Sequence, residues 1–305
     1  MVDAELLDGL IIRAQSGFFE VATTEGTFTA ELRGRLKQPR RDTDLVALGD
    51  RVRLRRIDNN RGQIDSIEPR RRVLSRRDPG SKREQVLVAN PDQAVFVLAA
   101  ADPPPLPRNR RLLDRLLVVA EREHLPAGIV VNKIDLTGRV AAAEPFLVYP
   151  ELGYPVLLTS TKTGEGVDDV RDLLAGKISV LAGPSGAGKS SLLNAIQPGL
   201  GLETRAISRA TSKGTHTTVF PALVPLEVGG YVADTPGVKA LAFWDIEVDE
   251  LDAYFRELAP LVTGCAFSDC THLHEPACAV LAAVADGRVS ESRYDSYRRM
   301  RQGEE

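Results

Sequence analysis

The residues Gly183–Ser190, with the sequence GPSGAGKS, have the composition and spacing of a phosphate-binding loop. Such a loop needs glycine because its backbone amides must close around phosphate oxygens, where a Cβ would intrude. An apolar, strand-like segment at 178–182 precedes the loop, and the sequence predicts a helix beginning near Lys189. Lys189 is therefore expected to contact the β- and γ-phosphates, and the Ser190 hydroxyl is expected to bind Mg²⁺.

A second motif, NKID at Asn132–Asp135, follows the strand-like segment 127–131 and predicts recognition of guanine. Guanine presents two adjacent donors, N1–H and the N2 amine, and a carboxylate accepts both. Adenine lacks this pair, so its binding would leave a desolvated Asp135 carboxylate without partners. Asn132 is expected to connect the base to neighbouring loops, and the Lys133 stem to lie over the ring. By itself the tetrapeptide also fits an ordinary turn, but the phosphate loop makes GTP the expected nucleotide.

Ser160, Thr161 and Lys162 follow a third strand-like segment and predict a second base-contacting loop. Its expected contribution is a backbone amide that donates to the guanine O6. A plain strand-to-helix turn explains these three residues almost as well, so both interpretations stay open here.

The motif DTPG at Asp234–Gly237 ends another strand-like segment and predicts the γ-phosphate sensor. Asp234 would hold Mg²⁺, directly or through water, and the Gly237 amide would contact the γ-phosphate. Many GTPases carry a glutamine directly after this motif to orient the attacking water, whereas this chain has Val238. The residues predicted to bind phosphate are Gly183, Pro184, Ser185, Gly186, Ala187, Gly188, Lys189, Ser190, Ser191 and Gly237.

The segment 213–218, KGTHTT, lies between the phosphate loop and the sensor, where a switch is expected. Thr217 or Thr218 would complete the Mg²⁺ shell and respond to the γ-phosphate. His216 is the candidate for positioning the water that lacks its glutamine. An exposed loop histidine without a catalytic role is the alternative.

The order of these motifs along the chain is itself informative. An ordinary GTPase runs from phosphate loop to sensor to base-recognition motif, whereas here the base-recognition motif comes first. The sequence therefore predicts a circularly permuted P-loop GTPase domain.

All three cysteines of the chain fall between 265 and 278, in the pattern C-x4-C-x-H-x5-C. An odd number of cysteines in a cytosolic chain argues against a disulfide framework. Three thiolates and one imidazole form a set suited to tetrahedral Zn²⁺, and four protein ligands make such a site structural. The predicted ligands are Cys265, Cys270, His272 and Cys278, with His274 as the rival histidine and buried free thiols as the alternative.

The elements around these motifs divide the chain into parts. Five short strand-like segments with glycine-rich turns occupy 1–70 and predict a small β-barrel, with an OB-fold favoured over an SH3-like barrel. An arginine-rich stretch at 71–92 predicts a basic linker. Strands alternating with helices over 93–242 predict an α/β domain with a mainly parallel sheet, and 243–305 is expected to be a mostly helical zinc-binding domain.

Bulk composition fits a multi-domain globular protein of 305 residues. The stretch from Arg33 to Arg83 carries 17 basic and 7 acidic residues, a balance of +10, which leaves −13 for the rest of a chain of net charge −3. A basic segment on an acidic protein suggests a polyanionic partner, with a solvated basic face as the alternative. The start MVDAE is acidic without a signal-peptide core, and no apolar run could cross a bilayer, so a cytoplasmic location without membrane contact is expected.

These motifs, in this order, closely resemble the ribosome small subunit-dependent GTPase A family. The likeness extends to Gly49–Val52 in the barrel and Ala89–Gln93 at the domain junction, with Thr161 in place of the usual alanine. The resemblance implies an OB-fold, a permuted GTPase domain and a zinc domain that assist late maturation of the small ribosomal subunit. It also implies hydrolysis stimulated by that subunit, binding to its rRNA, and a catalytic role for the histidine matching His216.

Two other functions stay possible from the residues: an RNA-binding scaffold with a structural nucleotide, and a P-loop ATPase or kinase. A monomer is expected because no association element is evident. Because the chain runs from the sensor almost directly into the metal domain, we also expect switch movement to reorient that domain.

Overall fold

The computed structural model, which describes residues 6–15, 17–34, 45–77, 84–100, 107–200, 222–234 and 247–304, begins with a five-stranded barrel. Its strands are β1 (Leu6–Gln15), β2 (Phe18–Thr23), β3 (Gly26–Leu32), β4 (Arg51–Arg56) and β5 (Arg61–Ile67). They pair in the order β1-β2-β3-β5-β4, and β4 pairs back to β1, which closes the barrel. The pairing of β3 with β5 is parallel, and the others are antiparallel. This arrangement is OB-like, which confirms the predicted fold of this part.

Alternating side chains explain why these segments form a barrel. In β4, Val52 and Leu54 are buried, while Arg51 and Arg53, which alternate with them, face outward. The same period of two places Phe28 and Ala30 of β3 inside. The inward residues form one apolar core, and the arginines remain on the outer surface.

The segment 71–92, predicted to be a basic linker, instead contains a β-hairpin. Strands β6 (Val73–Arg77) and β7 (Glu84–Ala89) pair antiparallel as a separate two-stranded sheet. Leu74 and Val88, which are register partners, are buried. The linker prediction missed this hairpin because the density of arginine outweighed a short alternating apolar pattern. Tertiary burial, rather than local composition, decides the structure of this segment.

Side chains at the junction bind this hairpin to the barrel. The buried Asp50 accepts two hydrogen bonds from Arg70, from Nε to Oδ1 at 2.7 Å and from a terminal nitrogen to Oδ2 at 2.8 Å. Asn90 donates from Nδ2 to the carbonyl of Gly49 at 3.1 Å and accepts from the amide of Arg71 at 2.8 Å. These contacts give structural roles to Gly49, Asp50 and Asn90, which belong to the segments Gly49–Val52 and Ala89–Gln93 noted in the sequence.

The central domain is an α/β layer structure. Its strands are β8 (Gln93–Ala99), β9 (Ala127–Asn132), β10 (Val156–Leu158), β11 (Ile178–Ala182), β12 (Ala222–Pro225) and β13 (Tyr231–Asp234). Its helices are α1 (Pro107–Arg122), α2 (Arg139–Ala143), α3 (Val148–Glu151), α4 (Val167–Leu174) and α5 (Lys189–Ile196). The strand order is β10-β9-β8-β11-β13-β12, with only the pairing of β12 to β13 antiparallel among the neighbours in this list.

The near-continuous apolar sequence of β8 follows from burial on both faces of this sheet. Phe96 and Leu98 belong to the core on one face, and Val95 and Val97 belong to the core on the other. The strand therefore lies in the middle of the sheet, between β9 and β11. The carboxyl ends of these two neighbours lead into the NKID motif and the phosphate-loop motif.

The barrel and the central domain are joined through their sheets. Arg13 of β1 pairs antiparallel with Ala222 of β12, so that eleven strands form one continuous sheet. No pattern in the sequence indicates this pairing.

Residues 247–304 form the third part, which is built from helical turns. These are 3₁₀ turns at Val248–Tyr254 and Val262–Gly264, followed by α6 (Ala279–Ala285) and α7 (Glu291–Gln302). Its core includes Phe255, Leu258 and Tyr297, and Val118 of α1 joins the same cluster. This confirms the predicted helical, metal-binding type of fold. Among the described residues, no helix has the length and apolar character required to cross a membrane.

Candidate functional site

The phosphate-loop motif lies where the sequence predicts, between β11 and α5. The helix begins at Lys189, directly after Gly188, whose φ of 92° is in the left-handed region. At Gly183, with φ of 138°, a Cβ would lie 2.0 Å from the carbonyl oxygen of Val97. Both glycines are therefore required by the path of the backbone. The Lys189 ammonium donates to the carbonyls of Gly183 and Pro184 at 2.8 and 2.9 Å, which holds its charge at the loop.

The base-recognition motif is hydrogen-bonded to the phosphate loop. Asn132, fully buried at the end of β9, donates from Nδ2 to the carbonyl of Ala187 at 3.1 Å. Lys133, with φ of 66°, donates from Nζ to the carbonyl of Gly186 at 2.6 Å. Two motifs more than fifty residues apart therefore form one site.

Asp135 and Ser160 bring the two predicted base-contacting loops together. The Ser160 hydroxyl donates to Oδ1 of Asp135 at 2.6 Å, and Lys162 Nζ lies 4.0 Å from Oδ2. The Thr159 hydroxyl donates to Oδ1 of Asn132 at 3.2 Å, which fixes the amide orientation. The side chains of Ser160 and Lys162 therefore face the NKID motif, and the base-contacting role of this loop stays a prediction.

Ser160 also organises its own loop. Its hydroxyl accepts from the amide of Thr163 at 3.2 Å, and its amide donates to the carbonyl of Glu165 at 2.9 Å. The following Gly166 has φ of 68°, and a Cβ there would lie 2.1 Å from the carbonyl oxygen of Leu158. The loop therefore turns sharply back onto β10. Arg139 and Glu165, joined at 2.7 Å, connect its far side to α2.

The predicted sensor and switch residues are described only in part. Asp234 is the last residue of β13, where its backbone pairs with Ala222. Gly237 and the switch candidates His216, Thr217 and Thr218 lie outside the described residues. The roles assigned to these four residues and to the Asp234 carboxylate stay predictions.

A second site, formed by the cysteine motif, brings four potential metal ligands together. The Sγ atoms of Cys265, Cys270 and Cys278 and a ring nitrogen of His272 all lie within 4.8 Å of one another. Cys265 Sγ is 3.9 Å from Cys278 Sγ, and His272 Nδ1 is 3.5 and 3.4 Å from these two sulfurs. Tetrahedral Zn²⁺ with bonds of about 2.0–2.3 Å places its donors about 3.5–3.8 Å apart. The donor set therefore fits a structural zinc.

The neighbours of this cluster select the ligand atoms. The other ring nitrogen of His272, Nε2, lies 3.1 Å from Oδ2 of Asp252, which leaves Nδ1 for the metal. His274, the rival ligand in the sequence, is exposed and is not part of the cluster. Burial and the adjacent thiols raise the pKa of the Cys270 thiol to about 12, so a thiolate there requires a nearby positive charge.

The loop that carries the ligands is held by Glu275. Its carboxylate accepts from the amides of Thr271 and Leu273 at 2.8 and 3.0 Å and from the Thr271 hydroxyl. Desolvation opposes ionisation, but these hydrogen bonds outweigh it and lower the pKa of Glu275 well below its ordinary value. The Tyr294 hydroxyl on α7 donates to the carbonyl of His272 at 2.7 Å. The ligand geometry thus depends on both the loop and α7.

A buried ionic cluster fixes this part of the chain to α1. Arg293 on α7, with 1% of its side chain exposed, donates to Asp114 at 2.5 Å and to Glu257 at 2.7 Å. Burial alone would lower the pKa of Arg293, but the two carboxylates raise it above its ordinary value. The Tyr149 hydroxyl also donates to Asp114, and the guanidinium lies 4.6 Å from the Phe255 ring centroid.

Sequence reasoning missed the functional neighbours Asp252, Thr159 and Arg293. Asp252 and Arg293 lie at least thirteen residues from the motifs they support, and nothing in their local sequence indicates a buried partner. The only signal for Thr159 is its position directly before Ser160 at the end of a strand.

Two family models match the chain, the RsgA N-terminal domain over residues 8–64 and the RsgA GTPase over 67–244. The Small ribosomal subunit biogenesis GTPase RsgA of Gemmatimonas aurantiaca is 46% identical over 297 residues, covering 96% of each chain. Its namesake from Moorella thermoacetica is 42% identical, covering 95% of each chain.

Two crystal structures are similar over almost the whole chain. YjeQ from Thermotoga maritima has a TM-score of 0.80 and 35% identity, covering 98% of both chains. YloQ, described as a circularly permuted GTPase, has a TM-score of 0.76 and 31% identity, covering 99% of this chain and 96% of that one. Because the GTPase family model covers more than half of the chain and relatives of this name are similar over almost all of it, this chain belongs to the RsgA family of GTPases.

Proposed function

We propose that this chain hydrolyses GTP to assist late maturation of the small ribosomal subunit, and that the subunit stimulates the hydrolysis. The observation that carries the proposal is the direct hydrogen bonding of the NKID motif to the phosphate loop through Asn132 and Lys133. One cleft thereby offers a carboxylate for guanine and amides for phosphate. The name shared by the relatives, small ribosomal subunit biogenesis GTPase, supports the assignment of the partner.

Guanine recognition is assigned to the two loops that meet at Asp135. Its carboxylate accepts the N1–H and N2 donors of the base, and the Ser160 hydroxyl at 2.6 Å holds the carboxylate in place. The backbone of Thr161 supplies an amide for O6, and the stem of Lys133 covers the ring. Lys162, 4.0 Å from Asp135, balances the charge of the carboxylate. Adenine lacks this pair of donors and would leave the Asp135 carboxylate without a partner on the base, which favours GTP.

Phosphate binding is assigned to the backbone from Gly183 to Ser191, at the amino end of α5, where the helix dipole favours anions. Lys189 neutralises the β- and γ-phosphates. Mg²⁺, which would offset the charge of the phosphates, would be held by Ser190 and Asp234. Thr217 or Thr218 and the Gly237 amide complete the γ-phosphate contacts. His216 positions the attacking water in place of the missing glutamine.

The barrel is assigned to rRNA. Its arginines form an outer surface, and several are paired with carboxylates, such as Arg56 with Glu25 at 3.1 Å and Arg61 with Asp58 at 2.7 Å. Exposed pairs of this kind are worth about 1 kcal/mol or less, so a phosphate backbone can replace the carboxylates. Binding to rRNA should therefore weaken steeply with salt. The factor is proposed to act as a monomer in the cytoplasm.

The domain assignments follow the same division as the sequence, with the hairpin added. We assign 1–70 to the RNA-binding barrel, 71–92 to the hairpin junction, 93–242 to the GTPase domain and 243–305 to the zinc domain. One structural zinc is assigned to Cys265, Cys270, His272 and Cys278, because their donor atoms all lie within 4.8 Å of one another.

The test is the rate of phosphate release from GTP with and without purified small ribosomal subunits. Stimulation by the subunit supports the assembly GTPase, whereas binding to the subunit without stimulation supports an RNA-binding scaffold. Lys189→Ala should abolish tight nucleotide binding under either interpretation, since it removes the charge at the loop.

The guanine assignment has its own test in Asp135→Asn. The amide offers xanthine a donor where guanine requires an acceptor, so the variant should prefer XTP to GTP in a competition assay. Asp168→Asn, which changes an exposed carboxylate on α4, is the matched control and should keep the preference for GTP. An unchanged preference in Asp135→Asn would contradict the assignment.

A further inference from the structure

The seam between the barrel and the GTPase domain consists of one strand on each side. Arg13 of β1 and Ala222 of β12 are register partners in an antiparallel pairing. On its other side, Ala222 is the register partner of Asp234, the last residue of the sensor strand β13. The backbone of Ala222 therefore lies between the barrel and the predicted γ-phosphate sensor. β12 is also the first described element after the segment 201–221, which contains the switch candidates.

Side-chain packing supports this seam. In β1, Leu7 and Ile11 are buried in the barrel core, whereas Leu10 and Ile12 pack against the core of the GTPase domain. The register of β1 with β2 shifts between Ile11 and Arg13, so the strand carries a bulge at Ile12. Successive side chains of a strand point to opposite faces, so Leu10 and Ile12 contact one core and Ile11 the other. On the GTPase side, the core includes Leu223 of β12 and its register partner Ala233 of β13.

The attachment of the zinc domain is of a different kind. It is fixed to α1 by the buried cluster of Arg293, Asp114 and Glu257, and Val118 of α1 lies in its core. The helix α1 connects β8 to β9, and β8 is separated from β13 by β11. This docking is thus removed from the sensor strand in the sheet order. Removing one partner of this ionic cluster would leave the other charges buried without a counter-charge.

We infer that the nucleotide state is transmitted to the barrel through the seam of β1 with β12, while the zinc domain stays fixed to α1. The inference rests on the proposed function, because it requires a GTP-dependent sensor at the end of β13. It differs from the expectation drawn from the sequence, in which switch movement reorients the zinc domain. Elements that flank the γ-phosphate are the ones that shift when it is lost, and coupling between two sites is reciprocal. A barrel bound to the subunit would therefore act back on the sensor through the same seam.

The test is a reversible cross-link across the seam, Arg13→Cys/Ala222→Cys, in the full-length, zinc-loaded chain. Directly opposed residues of an antiparallel pair have Cα atoms about 4.5–5.5 Å apart, within the range of a disulfide. The readout is the ratio of affinities for purified small subunits with a non-hydrolysable GTP analogue and with GDP. Once reduced, the variant should retain the ratio of the parent chain. Once oxidised, the variant should show an affinity ratio at least about fivefold lower than that of the parent chain, while it still binds both nucleotides.

The matched control is Ala22→Cys/Thr27→Cys, an opposed pair of β2 and β3 within the barrel. Its oxidation should leave the affinity ratio unchanged. If the seam cross-link forms and the oxidised seam variant keeps the affinity ratio of the parent chain, the inference is overturned. If the parent chain shows neither binding to the subunit nor GTP hydrolysis, the proposed function has failed instead.

Hydrogen exchange in the parent chain gives a second, independent readout, which decides the matter even where the cross-link does not form. Amides of β1 and β12 should exchange at different rates with the GTP analogue and with GDP, whereas amides of α1 and α7 should not. Differences at α1 and α7, with none at β1 and β12, would overturn the inference.

Discussion

Gly188 of the phosphate loop lies directly beside the side chain of Asn132. A Cβ at this position would lie 2.3 Å from Nδ2 of Asn132, and φ is 92°. We predict that Gly188→Ala weakens GDP binding at least about tenfold, or about 1.4 kcal/mol, because Asn132 must leave its place. Titration with a fluorescent GDP analogue measures the effect.

Gly186→Ala is the matched control for this prediction. Gly186 also has a positive φ, 83°, but a Cβ there would meet nothing within 4 Å. The control shares the backbone strain and lacks the collision, so its loss of affinity should be clearly smaller. Equal losses in the two variants would show that strain, and not the contact with Asn132, sets the requirement for glycine.

Asp252 is the residue that orients the histidine of the metal site. Its Oδ2 lies 3.1 Å from Nε2 of His272, and such partners typically affect metal affinity by about 10- to 100-fold. We predict that Asp252→Asn lowers zinc affinity within this range, measured by competition with a chromogenic chelator. Asp249→Asn, which changes an almost fully exposed carboxylate on the same 3₁₀ turn, should leave zinc affinity unchanged. An effect of equal size in the two variants would contradict the orienting role.

At the scale of elements, the packing of α7 on α1 depends on Arg293. Replacing it with methionine would leave the Asp114 and Glu257 carboxylates buried without their counter-charge. We predict that Arg293→Met costs about 3–5 kcal/mol in the free energy of unfolding, measured by denaturant titration.

Two further variants test the cause of that loss. Arg288→Met removes an arginine from an exposed pair with Asp286 and should cost less than about 1 kcal/mol. Adding Asp114→Leu and Glu257→Leu to Arg293→Met should recover much of the stability, because no unpaired charge then remains. If the triple variant is as unstable as Arg293→Met, lost packing rather than charge is the cause.

At the scale of the whole molecule, the three parts depend on different interactions. The barrel and the GTPase domain have their own apolar cores, whereas residues 247–304 combine a small core with the Cys/His cluster. We predict that removing zinc with a chelator makes this part sensitive to protease while GDP binding persists, because metal binding supplies folding free energy only there. Limited proteolysis with mass spectrometry and GDP titration measure both. Restored resistance on adding zinc is the control, and loss of GDP binding with the metal would contradict the prediction.

Much of the fold was predictable because its elements have strong local patterns. The segment 178–182 forms the strand expected of it, the helix begins at Lys189 as expected, and the barrel strands alternate in polarity as their sequences do. The hairpin of β6 and β7 was not, because its apolar residues are few and are buried by distant residues, Leu74 and Val88 in the core of the central domain and Val86 and Ala89 with Ala47. The local sequence does not indicate contacts between residues that lie far apart along the chain.

The sequence by itself determined the chemistry of the molecule. Phosphate, guanine and zinc each require particular atoms at close spacing, so GPSGAGKS, NKID and the cysteine cluster predict their ligands from local sequence. Only the tertiary structure decided how those sites connect. The hydrogen bonds from Asn132 to the phosphate loop, the support of His272 by Asp252, and the pairing of Arg13 with Ala222 all join residues distant along the chain. Their partners are fixed by packing, which depends on the whole fold.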